Sequence, residues 1–247
     1  MRQQITYIVS LFVCLLVLQN GLAQQTKKAP AKPAKNKEPL VLNGFRVETD
    51  LGQIVSSLAF KNNITTSMQV GVSASLSNKL YPTIEMGQSS TLKLMADQSS
   101  FTAKGFYEKI GVDFRINKAL ENGKPTNNLM LLGLRLGFSS FNYSINHLPV
   151  VDEYWGGSSL TNYDNLRTNK VWYEIMAGIR VEILKNTYVG WNVRYKSLLS
   201  KKSTGEIYPW YIPGYGTNIN STPNWEFNYT VGYYINQPTK TKKVDLQ

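Results

Sequence analysis

The sequence predicts an all-β protein: a transmembrane antiparallel β-barrel of about eight strands, with both termini on the periplasmic side. Three observations carry this expectation. Segments of strictly alternating polarity recur along the chain. Their apolar faces stay clean for about ten residues, the length of a tilted strand crossing a bilayer, whereas sandwich strands run nearer five or six. The connections alternate in length, so short turns gather at one end and long loops at the other.

The N-terminal segment, residues 1–23, reads MRQQITYIVSLFVCLLVLQNGLA. Arg2, an apolar core, and the small residues Gly21 and Ala23 at the −3 and −1 positions are those of a secretory signal peptide removed after Ala23. The apolar run is short for a spanning helix. Cys14, the only cysteine, lies inside it, and Val13 is not the small residue that a lipoprotein site needs before its cysteine. The mature chain would hold no thiol, hence no disulfide, no thiolate metal site and no cysteine nucleophile. Residues 24–41 form a basic Lys/Pro/Ala linker without a packing face, and Lys27, Lys28, Lys32 and Lys35 make it a candidate arm for an anionic partner. The tail 237–247 is likewise basic.

Between these ends, residues 42–236 are assigned to the barrel. Phe45, Val47, Thr49 and Leu51 alternate with Arg46, Glu48 and Asp50. Met68 to Leu76 and Ile84 to Met86 follow, then Ile110, Val112, Phe114 and Ile116 against Lys109, Gly111, Asp113 and Arg115. The next runs are Met130 to Phe138, Val171 to Ile183, Val189 to Tyr195, and Phe227 to Ile235. The predicted short turns are 77–80, the stretch holding Glu121-Asn122-Gly123, and 184–186. The predicted long loops are 53–63, 88–104, 144–168 and 198–222. An even strand count with short turns in the periplasm returns both termini to that side.

The segment VWYEIMAGIRVEIL (171–184) shows which face is outside. Val171, Tyr173, Ile175, Ala177, Ile179, Val181 and Ile183 take one parity, and Trp172, Glu174, Met176, Gly178, Arg180 and Glu182 the other. A solvated face gains nothing from glycine, which weakens strands, whereas a crowded lumen needs small residues beside large ones. The mixed face is therefore expected inside and the apolar one against lipid. Trp191, Tyr195, Phe227, Tyr229 and Tyr233 stand on apolar faces, where interfacial aromatic girdles belong. Glu108 is the misfit, because its parity places it outward unless a bulge intervenes.

The inward positions include Arg46, Glu48, Glu85, Lys109, Asp113, Arg115, Arg135, Glu174, Arg180, Glu182, Arg194 and Glu226. An eight-stranded barrel is only wide enough for its own side chains, so these charges are expected to pair into a hydrogen-bonded plug rather than line a pore. The same residues leave a proton or ion path, or a carboxylate site, as alternatives. His147, the only histidine, lies near Ser139, Ser140, Ser144 and Asp152 in a serine-rich loop, a weak signal for a Ser–His hydrolase. No phosphate loop or dinucleotide fingerprint appears, and one histidine without a mature cysteine argues against a transition-metal site. No enzyme activity, cofactor or metal is expected.

The net charge is +11 with a pI near 9.6, and much of the excess sits in the linker and tail, so nucleic acid is not an expected partner. The loop GEIYPWYIPGYGTNINSTPNW (205–225) is more pointed. Tyr208, Trp210, Tyr211 and Tyr215, stiffened by Pro209 and Pro213, form a candidate protein or glycan interface, with Tyr154 and Trp155 of the preceding loop beside them. The competing reading folds this loop over the barrel mouth with its rings buried on one another.

On Gly44 to Leu51, Gly105 to Arg115 and the closing Tyr229 to Tyr234, the chain resembles the small eight-stranded outer-membrane barrels of the OmpA/OmpX kind, and a Bacteroidota outer-membrane barrel family of unknown function. The resemblance covers roughly residues 42–236. It implies an outer-membrane location and a non-catalytic accessory role in outer-membrane machinery, in barrel assembly or export. Its partners would be outer-membrane lipid and other outer-membrane or periplasmic proteins. A stand-alone adhesion barrel, a narrow passive channel and a lipid-acting barrel enzyme are the alternatives.

Overall fold

The computed structural model describes residues 40–51, 63–95, 97–117, 120–121, 124–125, 127–151, 156, 158–200, 207–218 and 222–237. The signal-peptide and linker assignments, apart from Leu40 and Val41, and the tail beyond Gln237 lie outside them. The strands are β1 (Leu42–Asp50), β2 (Asn63–Leu76), β3 (Leu80–Leu94), β4 (Ser100–Arg115), β5 (Leu120–Glu121), β6 (Lys124–Pro125), β7 (Leu129–Val151), β8 (Ser158–Leu184), β9 (Thr187–Leu198), β10 (Tyr211–Ile212), β11 (Gly216–Thr217) and β12 (Asn224–Asn236). Eight of them close into an antiparallel barrel in the order β1-β12-β9-β8-β7-β4-β3-β2, sealed where Gly44 to Asp50 pair with Asn236 to Thr230. Closure leaves no barrel edge strand. The pairs β5-β6 and β10-β11 are separate small hairpins.

Side-chain polarity is inverted relative to a soluble barrel over most of the wall. Val70, Val72, Ile84, Met86, Ile110, Leu132, Leu134, Ile175, Ile179, Val189 and Phe227 are exposed on the outside. Arg46, Glu85, Lys109, Asp113, Arg135, Glu174, Arg180 and Arg194 are buried inside. In 171–184 the assignment by parity holds: Trp172, Glu174, Met176 and Arg180 are buried, while Ile175, Ala177, Ile179, Val181 and Ile183 are exposed. Crowding explains the inward glycines. A Cβ on Gly137 would overlap the Trp172 indole, and one on Gly87 the Tyr107 ring. The outer wall also carries two cross-strand aromatic pairs between β9 and β12, Trp191–Tyr229 and Tyr195–Trp225, with ring centroids 6.1 and 5.1 Å apart.

The strands run longer than alternation predicts, and this corrects the loop assignments. Residues 88–104 are strand on both sides of a tight hairpin at Met95–Ser99, and most of 144–168 is paired β7 and β8. In the first hairpin, the Ser99 hydroxyl and backbone N–H hold the exposed Asp97 carboxyl below its ordinary range. The turns at Ser77–Lys79 and Lys185–Asn186 are short as expected. β8 has 27 residues, roughly 90 Å of chain at about 3.3 Å per residue. An apolar band is only about 25 Å tall. The β7–β8 hairpin therefore rises well past it, with register shifts at Tyr143/Ile145 and Ile145/Leu148. Glu108 is exposed and outward, and pairing is continuous through it to Met86 and Phe138, so no bulge turns it inward.

Above the row Met86–Glu108–Phe138–Val171 the polarity changes hand. There Ser140, Asn142 and Lys104 point outward and are exposed, with Phe106 on β4 and Leu92 and Leu94 on β3 the exposed apolar exceptions, while Phe101, Ala103, Tyr107, Phe141, Tyr143 and Ile145 are buried inside. Apolar residues turn inward where the outside becomes polar, so this inversion marks the upper border of the apolar outer band.

Candidate functional site: a sealed lumen and its cap

The lumen holds two ionic clusters. Glu85 on β3 is the centre of the larger. It takes a two-pronged contact from Arg194 on β9, with Nη1–Oε2 at 2.7 Å and Nη2–Oε1 at 3.1 Å. Arg135 Nε lies 3.1 Å from Oε1, Lys109 Nζ 3.8 Å from Oε2, and Gln69 donates its amide at 3.0 Å. Arg135 also grips Asp113 with Nη1–Oδ1 at 2.7 Å and Nη2–Oδ2 at 2.9 Å. Glu174 on β8, fully buried, accepts from Arg194 at 3.0 Å, from Lys109 at 3.1 Å and from the Trp172 indole N–H at 2.7 Å. Lys196 continues the chain to Glu226, at 2.7 Å. Residues from β2, β3, β4, β7, β8, β9 and β12 thus meet across the bore.

The second cluster lies on the β1 side. Arg180 clamps Glu48 through Nε at 2.7 Å and Nη2 at 3.2 Å, and Arg46 Nε approaches the same carboxylate at 3.0 Å. Arg46 also donates to Ser73 and stacks its guanidinium 5.2 Å from the Tyr81 ring centre. Planar guanidinium forks suit carboxylates bidentately, which explains why arginine outnumbers lysine here. Asp50 accepts from the Asn228 amide.

Ten of the twelve inward charges expected from sequence, Arg46, Glu48, Glu85, Lys109, Asp113, Arg135, Glu174, Arg180, Arg194 and Glu226, enter these two clusters. Arg115 does not. It sits at the short-turn end and donates to Asn117 and to the Asn128 carbonyl, both at 3.1 Å. Glu182 is at the same end, accepting the Asn186 N–H at 2.8 Å. Asp50 and Lys196, on the polar parities of β1 and β9, are buried although the inward set named from the sequence omits them, and so is Lys170 on β8. Parity along their own strands was the available signal for the first two.

The other mouth is closed by residues 207–218. The β10–β11 hairpin dips into the socket of aromatic side chains above the polarity border, and Tyr211, Ile212 and Tyr215 are buried with Phe101, Tyr107, Phe141, Tyr143 and Trp172. Tyr215 meets Trp172 edge-on at 6.0 Å. The Tyr211 hydroxyl hydrogen-bonds with Ser89 at 2.7 Å, and Lys196 Nζ donates to the Gly214 carbonyl at 2.7 Å. Gly214 has φ +77 and a Cβ there would strike the Tyr107 ring, so glycine is required on both counts. Burial pushes the Tyr215 phenol up to about 12 and raises the Tyr211 phenol as well.

This geometry corrects the interface expectation. Tyr211 and Tyr215 anchor the cap instead of facing outward. Trp210 and Tyr208 are half-buried and covered by cations, with Lys93 Nζ 3.5 Å and Lys170 Nζ 4.6 Å from their ring centres. Tyr154 and Trp155 lie outside the described residues. Of the Ser–His candidates, Ser139 faces the lumen and donates to the Phe106 carbonyl, Ser140 is outside, the Ser144 hydroxyl accepts the Asn165 N–H at 2.9 Å, and His147 is exposed on the hairpin. Asp152 also lies outside the described residues. No group of three metal-ligating side chains occurs among the described residues.

The family model for DUF6048, a domain of unknown function, matches residues 4–242. The chain belongs to the DUF6048 family. No curated protein matches the sequence. A solved structure of Ail, the attachment invasion locus protein of Yersinia pestis, in complex with the heparin analogue sucrose octasulfate, is similar at 10% identity and a TM-score of 0.40. The match covers 79% of this chain and 100% of that one. The barrel assignment above rests on the closed strand ladder and not on this likeness.

Proposed function

We propose that the protein is a non-catalytic barrel of the outer membrane, oriented with the β7–β8 hairpin and the cap outside the cell, and that it serves as a structural or accessory subunit of an outer-membrane complex. The observation that carries this reading is the filled bore. Side chains from seven strands meet across it and a tethered hairpin occupies one mouth, so the molecule acts through its wall and its ends. The apolar outer wall supports membrane residence, and a barrel is one of the two structures that can satisfy every backbone group in lipid. Barrel assembly or export is the machinery that the sequence resemblance implies.

The test is purification of the native chain in mild detergent, with quantitative identification of what travels with it. Outer-membrane or periplasmic proteins in fixed ratio to the barrel are expected. A monodisperse single chain without companions contradicts the subunit reading. It would favour a stand-alone adhesion barrel, which one observation supports: the tall hairpin presents Val150 and Leu160 exposed beyond the band.

A further inference from the structure

We propose that the outer wall carries a binding site for the phosphorylated headgroup of an outer-leaflet glycolipid, formed by Lys104 on β4 and Arg167 on β8 with Asn142 of β7 between them. The proposal rests on the membrane reading above.

The placement is unusual for this wall. In the described barrel strands, Lys104 and Arg167 are the only lysine and arginine on outward positions; the others turn inward or sit at strand ends. They are also neighbours. Lys104 is directly opposite Asn142, and Asn142 directly opposite Arg167. Directly paired residues share a face, so the two cations stand two strand spacings apart, about 10 Å. All three side chains are exposed, and no ion pair to a described residue engages either cation. The Asn142 amide is held by Asn165 at 2.7 Å. The nearest acid on the β4 column is Glu108, four residues below Lys104 and about 13 Å along the strand, too far to neutralise it.

Their height is set by the wall itself. Outward apolar residues on β4 and its extension run from Ile116 to Phe106, interrupted by Glu108. Ten residues cover about 33 Å along the strand, or about 25 Å along the barrel axis at a tilt near 40°, which is the height of an apolar band. Lys104 lies one outward position higher, and the Phe106 row itself continues into exposed Ser140 and Asn169 on β7 and β8, at the upper edge of the band. The cations therefore meet the headgroup layer and not the acyl chains. A guanidinium offers a planar fork to a phosphate and a lysine a mobile point charge, and Ser140 and Asn169 offer neutral hydrogen-bonding groups at the level of sugar hydroxyls. The β9–β12 wall bears aromatic pairs in place of cations, so the site belongs to one side of the barrel.

The test reconstitutes the full chain in phosphatidylcholine vesicles that contain diphosphorylated lipid A, lipid A stripped of phosphate, or phosphatidylglycerol at matched charge. After mild re-extraction, lipid retained per barrel is counted by native mass spectrometry. Wild type should retain diphosphorylated lipid A far above the other two. The double variant K104Q/R167Q should lower that retention by roughly 10- to 30-fold, the effect of removing two surface cations from an anionic lipid. K79Q, at the short-turn end, should leave it unchanged. Equal retention by the folded double variant, equal loss in K79Q, or equal retention of stripped lipid A overturns the site. Equal retention of phosphatidylglycerol overturns the glycolipid assignment and leaves only general attraction for anionic lipid. Insertion without discrimination defeats this proposal alone, whereas failure of wild type to insert defeats the membrane reading and this proposal with it.

Discussion

Replacing Glu85 by glutamine should destabilise the folded barrel by about 3–5 kcal/mol, the cost of breaking a buried ion pair by removing one partner. Glu85 is the hub of the larger cluster: Arg194, Arg135 and Lys109 converge on it, and glutamine keeps its shape but not its charge. These cations are nearly solvent-free, so the lost counter-charge cannot be replaced by water at the surface. Urea unfolding in detergent, followed by loss of the compact heat-modifiable species, measures the effect. E182Q provides the contrast. Glu182 lies half-exposed at the short-turn end, where charge interactions contribute about 1 kcal/mol or less. Equal, small effects of both substitutions would mean that the bore is hydrated and the cluster is not a structural plug.

Leu134→Arg should cost about 2–4 kcal/mol, because it places a guanidinium on the lipid face near mid-band. Leu134 is 53% exposed, lies between Leu132 and Leu136 on its own strand, and faces Val112 and Ile175 across the ladder. An arginine there has the longest way to reach either headgroup layer. S140R, on the same strand and face but above the polarity border, should cost only about 0–1 kcal/mol. The ratio of the two, measured as refolding equilibria in lipid vesicles, separates a lipid-facing wall from one facing water. Equal tolerance of both arginines contradicts the membrane-facing assignment.

The contrast between these two positions also explains what the sequence could and could not show. Inside the membrane band, alternation is a direct record of two environments, so 171–184 revealed its faces and parity gathered nearly all of the ionic cluster. Past Met86 and Phe138 the rule changes sign. Outward positions become Lys104, Ser140 and Asn142, and inward ones become Tyr107, Phe141 and Tyr143. A search for apolar-out alternation therefore ends strands that the backbone ladder continues, and 88–104 and 144–168 read as loops. The fate of Tyr211 and Tyr215 depends on contacts across more than a hundred residues, with Ser89 and Tyr107 among them. Local composition marks them as a rigid aromatic surface in either case. Parity puts Lys196 on the polar face of β9, but its contacts with Glu226 and with the Gly214 carbonyl come from β12 and the cap, which local alternation does not record.

The bore is shut, and single-channel recording in planar bilayers tests this most directly. Purified full-length protein should insert and show no steady conductance step, since Glu85, Glu174, Arg135 and Arg194 interlock across the lumen and the 207–218 hairpin fills the opposite mouth. A stable, porin-like current from the inserted wild-type chain would contradict that claim.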